Sequence, residues 1–135
     1  MRNNGQGNAA WNRPGRGAGK GRGRFRAQLM EPVILLALRH QPAHGYTLLD
    51  ELDRFGLGQM DPSMLYRLLR DMETRALLIS QWEEEETQGP PRRIYRITPQ
   101  GLEALSLWRE HLLHQRDQVQ HILNALDQDQ STDKE

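Results

Sequence analysis

Residues 88–93 read GlnGlyProProArgArg, a turn-forming run that ends in two adjacent cations. Glycine bends freely, and consecutive prolines stop a helix or a central strand. LeuLeuIleSerGlnTrp (77–82) stands before this run and ArgIleTyrArgIleThr (93–98) overlaps its end, both rich in branched and aromatic residues. Two such runs around a glycine-proline turn predict a β-hairpin with a longer loop and a basic tip.

Helical signals precede the hairpin. Asp61 is suited to accept from the first backbone amides of a helix, and Pro62 fits the first helical position. Leu65, Leu68, Leu69, Met72 and Ala76 recur at steps of three and four and define a core stripe. Ser63, Met64, Tyr66, Arg67 and Arg70 then face outward. A tyrosine and two arginines near a helix start suit reading base edges and gripping phosphates, and equally suit a plain solvated face.

Further upstream, HisGlyTyrThrLeuLeuAspGluLeuAspArgPhe begins at 44, with Tyr46, Leu49, Leu52 and Phe55 spaced for one face of a helix that Gly56 and Gly58 stop. Order is expected to begin near Leu29, with Pro32 at a first helical position and an apolar run from Val33 to Leu38. That helix should end around Arg39 to Gln41, because Pro42 disfavours helical geometry in the residue before it.

Three helices and a hairpin in this order predict a winged helix-turn-helix: a mainly α fold with a small β-hairpin wing. A helix bearing outward arginines and a ribbon with a basic tip reach a groove and its flanking phosphates together, which makes double-stranded DNA the expected partner.

Thr98 followed by Pro99 opens a last helix by the same cap logic. Along it, Leu105, Leu112, Val119 and Leu126 fall on one line and Trp108, Gln115 and Ile122 on its companion, a seven-residue register. Residues 102 to 126 span roughly 36 Å at 1.5 Å per residue, longer than so small a domain covers with its own core. The seam therefore predicts a homodimer with two-fold symmetry. Trp108 on that seam suits interface core, or the wall of a flat ligand cavity where two chains meet.

Composition bounds the alternatives. The 135 residues suit one compact domain plus a tail and carry no net charge. That zero is a sum of unlike parts. Residues 1–27 hold seven basic residues and no acid, leaving 11 basic against 18 acidic residues in the rest. The organisation expected is a disordered Arg/Gly-rich basic tail (1–27), a winged-helix domain (28–98), a dimerisation helix (99–127) and a disordered polar tail (128–135). The basic tail suits an arm on phosphates or in a minor groove, with Trp11 and Phe25 free to stack, or a solubilising leader, and its composition is also compatible with RNA.

Cysteine is absent, which excludes a disulfide framework, a thiolate metal site and a thiol nucleophile. No run is long enough to span a bilayer and no signal-type core follows the basic N-terminus, so a cytoplasmic protein is expected. His111, His114 and His121 lie on one side of the last helix without a cysteine or a defined carboxylate partner, so no metal or other cofactor is expected. Nor is an enzyme, because phosphate loop, dinucleotide fingerprint, nucleophile elbow and metalloprotease helix are all missing. The remaining alternative is a winged-helix module that binds protein or RNA, which the acidic body favours.

HisGlyTyrThrLeuLeuAspGluLeu (44–52), LeuTyrArgLeuLeuArgAspMetGlu (65–73) and GlyProProArgArgIleTyrArgIleThrProGlnGly (89–101) resemble the PadR family of bacterial and archaeal transcriptional regulators, over about residues 29–126. The resemblance implies a dimeric winged-helix DNA-binding protein, usually a repressor, with the C-terminal helix at the dimer contact. It also implies relief by small, often aromatic or phenolic, ligands in some members, in a pocket near the dimer interface. The family's DNA-contacting positions fall on Ser63, Met64, Tyr66, Arg67 and Arg70, and its basic wing on Arg92 and Arg93. Ser63 and Met64 depart from a common Gly-Thr, Arg67 from a frequent Pro, and Ala76 from the Gly that usually ends the helix.

Overall fold

The computed structural model describes residues 16–58, 61–83 and 92–134, with side chains over 27–58, 61–83 and 92–131. In chain order these form α1 (Arg16–His40), β1 (Ala43–His44), α2 (Gly45–Arg54), α3 (Pro62–Thr74), β2 (Leu78–Glu83), β3 (Arg92–Ile97) and α4 (Pro99–Lys134). The architecture is the mainly helical winged fold expected from the sequence, with a small antiparallel sheet and a long C-terminal helix.

α1 starts earlier than the sequence suggests. Pro32 lies inside the helix instead of opening it, and the expected tail overlaps α1 from Arg16 onward. Ala27, Gln28, Leu29, Met30 and Glu31 are strong helix formers, and Met30 is buried to 1% exposure beside Ile34, Leu35 and Leu38. Burying a side chain of this size contributes about 1.5–3 kcal/mol, which offsets much of the roughly 3 kcal/mol that an interior proline costs. Residues 1–15 of the tail lie outside the described residues.

The core forms where α1 meets Leu48 and Leu52 of α2, Leu65, Leu69 and Met72 of α3, and Leu78 and Tyr95 of the sheet. On α2 the buried stripe is Gly45, Leu48 and Leu52, not the line through Tyr46 and Phe55, both of which are about half-exposed. Leu57 takes the place expected for Phe55: the chain turns at Gly56 (φ 76°), and the Leu57 amide bonds back to Leu52 O at 2.9 Å. Its side chain is thereby tucked inward.

α3 begins as expected, with the Asp61 carboxylate accepting from the Ser63 amide at 3.1 Å. That backbone hydrogen bond holds the carboxyl below its ordinary pKa. A lowered folded pKa means that the cap's contribution is present at neutral pH and is lost as pH falls through that value. At the other end, Leu77 N donates to Met72 O and Ala76 N to Glu73 O, each at 2.9 Å, the paired bonds of a Schellman stop. Ala76 occupies its left-handed position (φ 65°) and is exposed, so it ends the helix and does not extend the core stripe as the spacing suggests. A Cβ in this conformation costs about 1–2 kcal/mol. Ala76→Gly relieves that strain, against about 0.4–1 kcal/mol of added unfolded-state entropy. A net gain of roughly 0.5–1 kcal/mol is expected, read as a rise of a few degrees in the thermal midpoint; a lower midpoint contradicts the assignment.

The wing is the antiparallel pair β2–β3, in register from Leu78↔Ile97 to Glu83↔Arg92. The sequence points to two strands, but the sheet has three, ordered β1-β3-β2, with Ala43↔Tyr95 and His44↔Ile94 pairing on the second edge of β3. β1 thus ties the α1–α2 connection to the wing.

Thr98 joins the wing to α4. Its Oγ1 accepts from Gly101 N at 3.0 Å and shares its own hydrogen between Ala76 O (2.7 Å) and Leu77 O (3.0 Å). Gly101 is buried against the Leu77 carbonyl and Ile97, where a Cβ finds no room. α4 continues past the expected boundary at 127 to Lys134, a length of about 54 Å. From Arg116 to Ser131 every residue of it is exposed. Among the described residues, no helix is long and apolar enough to cross a membrane.

Candidate nucleic-acid interface

The α3 core stripe fixes which residues point out. With Leu65, Leu69 and Met72 buried, Ser63, Met64, Tyr66, Arg67 and Arg70 are exposed. Tyr66 leans on the start of α2, where a Cβ at Gly45 would stand 2.5 Å from its hydroxyl oxygen. Gly45 therefore lets the two helices approach closely enough to seat the tyrosine.

The wing arginines are held on aromatic surfaces. Arg92 donates to the Tyr46 hydroxyl at 3.2 Å, its guanidinium carbon 5.5 Å from the ring centroid. Tyr46 is itself stacked on His44 at 5.2 Å, and a 2.8 Å hydrogen bond joins His44 Nε2 to Glu83 Oε1. Arg93 lies 4.5 Å above the Trp82 ring and donates to Ser80 Oγ at 2.8 Å, while Ser80 donates to Glu73 Oε2 at 2.7 Å. Among the described residues each guanidinium spends one of its five donors, and both stems have lost part of their freedom before any ligand arrives.

Between α3 and the wing lies a cleft of about 490 Å³, lined by Tyr66, Arg70, Glu73, Trp82, Arg92 and Arg93 among others. Four of the residues singled out in the sequence thus share one face. Ser63, Met64 and Arg67 stay on the exposed side of α3 and do not line the cleft. Tyr95 closes it from below, its phenol pushed up in pKa by burial and then by the nearby Glu73. Of the acidic run at 83–86, Glu83 is engaged by His44, and residues 84–86 lie outside the described residues.

The supporting residues His44, Tyr46, Ser80 and Trp82 escape a reading by motif. The register sets Trp82 opposite Arg93, a favourable aromatic–arginine cross-strand pair, but its centre falls between residues 87 and 88, so Gly89 and the two prolines alone do not reveal it.

A second concavity, about 770 Å³, runs between α1 and α4, with Val33, Leu36, Phe55, Leu105, Trp108 and Leu112 on its walls. The α4 seam divides there. Leu105, Trp108, Leu112 and Gln115 are half-buried, the first three along this groove, whereas Val119, Ile122 and Leu126 are 50%, 60% and 52% exposed. The Trp108 indole N–H donates to Glu31 Oε2 at 2.8 Å, and His111 meets the ring edge-on at 5.3 Å. No group of three or more His, Cys, Asp or Glu side chains gathers as a metal site among the described residues.

Residues 34–107 match the model of the Transcriptional regulator PadR-like family. A curated relative, Transcriptional regulator Rv3488 of Mycobacterium tuberculosis, is 41% identical over 83 residues, covering 58% of this chain and 75% of that protein. Among solved structures, the PadR family transcriptional regulator of Eggerthella lenta superposes with a TM-score of 0.67 at 29% identity, covering 78% of this chain and 91% of the other. A PadR-like transcription factor from Bacteroides fragilis gives a TM-score of 0.62 at 29% identity, covering 76% and 98%. The match spans the helices, the wing and the start of α4, the elements that build the arginine-lined face. The chain belongs to the PadR-like family of transcriptional regulators.

Proposed function

We propose that the chain is a homodimeric, sequence-specific DNA-binding repressor, with α3 in a major groove and the wing on the flanking backbone or minor groove. The observation that carries this reading is the grouping of Tyr66, Arg70, Arg92 and Arg93 on one open face. Ser63, Met64 and Arg67, at the exposed start of α3, are in position for base edges, and the wing arginines for phosphates. The seam through Leu105, Trp108, Leu112, Gln115, Val119, Ile122 and Leu126 serves as the contact between two copies. What supports it is the apolar stretch from Val119 to Leu126, which the chain's own core does not cover. A regulator of this kind, built without cysteine, suits the cytoplasm.

A small planar aromatic compound in the α1–α4 groove relieves repression, with Trp108 as one wall. Such compounds are expected to quench tryptophan emission, and Trp108→Ala to remove that response while the dimer persists.

Retardation of the chain's own promoter fragment tests the DNA reading. Arg70→Ala should weaken that binding about tenfold or more, in line with roughly 1–3 kcal/mol for a good base or phosphate contact, without changing dimer mass. Unaltered affinity removes Arg70 from the interface. A second reading, a protein or RNA partner, is favoured by the acidic body and by Glu73 on the cleft wall. Failure to retard any promoter fragment, with retention of RNA, would decide for it.

A further inference from the structure

Three helices meet on one carboxylate. Glu31 projects from α1 with its side chain only 13% exposed, and its two oxygens serve different elements. Oε2 accepts from the Trp108 indole of α4, and Oε1 accepts from Arg75 Nη2. Arg75 is the C-cap of α3 and also bonds Asp71 one turn earlier, at 3.0 Å through Nε. The bond to Glu31 is the chief reason its guanidinium is held still more firmly in the charged form. α3 and α4 make no extended backbone contact of their own, so this carboxylate is a direct polar route between them.

The two ends of the route carry different duties. Trp108 walls the apolar groove, and Arg75 closes the helix that bears Tyr66 and Arg70. A bond from indole N–H to a carboxylate is charge-assisted and directional, so it fixes where the carboxylate points. Its partner oxygen in turn fixes the guanidinium, which clasps the last turn of α3. Removing the indole donor leaves Glu31 bonded to Arg75 alone, and the end of α3 loses its fixed reference to α4.

We propose that Glu31 is a positioning residue: it locks the last turn of the DNA-contacting helix to the Trp108 wall of the groove, so that a shift of that indole alters the pose of α3. The proposal rests on the reading of α3 as the DNA-contacting helix and of the groove as the effector site. Glu31 itself touches neither DNA nor ligand in it.

Trp108→Phe keeps a smaller aromatic ring and deletes the N–H donor, and Glu31→Gln keeps the shape and deletes the charge. The first readout is amide hydrogen exchange of the full chain without DNA. Trp108→Phe should speed exchange at residues 72–77 at least fivefold and leave residues 65–68 unchanged; unchanged exchange at 72–77, or equal acceleration throughout α3, overturns the proposal. The second is affinity for the promoter fragment beside the thermal midpoint. Each single variant should weaken binding about tenfold and the double variant no further, with midpoints that do not follow the affinities. Additive losses, or affinities that merely track the midpoints, assign the carboxylate a structural role only and overturn the proposal. If the unmodified chain retards no promoter fragment, the DNA reading fails by itself, and the exchange experiment still decides whether Glu31 links the two helices.

Discussion

Ile122→Asp combined with Leu126→Asp is expected to split the protein into single chains of 15.7 kDa and to lower affinity for the promoter fragment by at least about 100-fold. The size follows from counting what a two-fold seam repeats. Each dimer would bury both side chains twice, and burying an aliphatic side chain of this size contributes about 1.5–3 kcal/mol. The substitution removes that and places four carboxylates in one seam, where like charges repel. Within a single chain both positions are more than half exposed, so the fold should survive with an unchanged helical signal and thermal midpoint. DNA affinity falls because the second α3 no longer arrives at high effective concentration once the first has docked. Retained dimer mass would remove these residues from the interface.

Arg92→Ala combined with Arg93→Ala is expected to weaken DNA binding by roughly two orders of magnitude at 0.15 M salt, and by similar factors on matched and mismatched sequences. Solvent-exposed ion pairs contribute about 0.2–1 kcal/mol each, so the four arginines lost from a dimer sum to roughly 1–4 kcal/mol. The more diagnostic number is the salt dependence. With a slope near 0.9 per neutralised phosphate, removing four cations from a dimer flattens the log-log plot by roughly 3.6 units. The platforms under these arginines are the reason to expect close to the full amount, since stacking on Tyr46 and Trp82 restrains both side chains beforehand. Weakened binding on an unchanged slope would mean that the arginines support the wing and leave the phosphates alone.

What the sequence announces is local. Asp61-Pro62 and Thr98-Pro99 mark two helix starts because a capping side chain and a proline act within a few residues of each other. The stripe through Leu65, Leu69 and Met72, and the two strands around Gly89, are legible for the same reason: period and turn chemistry need no distant partner. Spacing alone puts Ala76 on the core stripe; only the family resemblance, with its usual Gly there, marks the position as strained, and it has φ 65°.

What escaped is set by contacts far along the chain. β1 is two residues long and exists only because β3 lies beside it. The phase of α2 follows from Gly45 passing under Tyr66, which turns Tyr46 outward towards Arg92. α1 runs through Pro32 because Met30 and Ile34 are buried on both sides of it, a tertiary gain that overrides a local stop. Glu31 carries no motif at all: its partners lie 44 and 77 residues away. On the interface itself, the outward arginines were readable from periodicity, whereas the aromatic seats that hold the wing pair needed the sheet register.

Two chains are expected to present their α3 helices and wings to one duplex as a unit. Sedimentation equilibrium of the protein with a promoter duplex carrying both half-sites measures it directly. Two chains per duplex, bound in one cooperative step, is the expected result. A stable complex of one chain per duplex, at the same affinity as the full site, would contradict it.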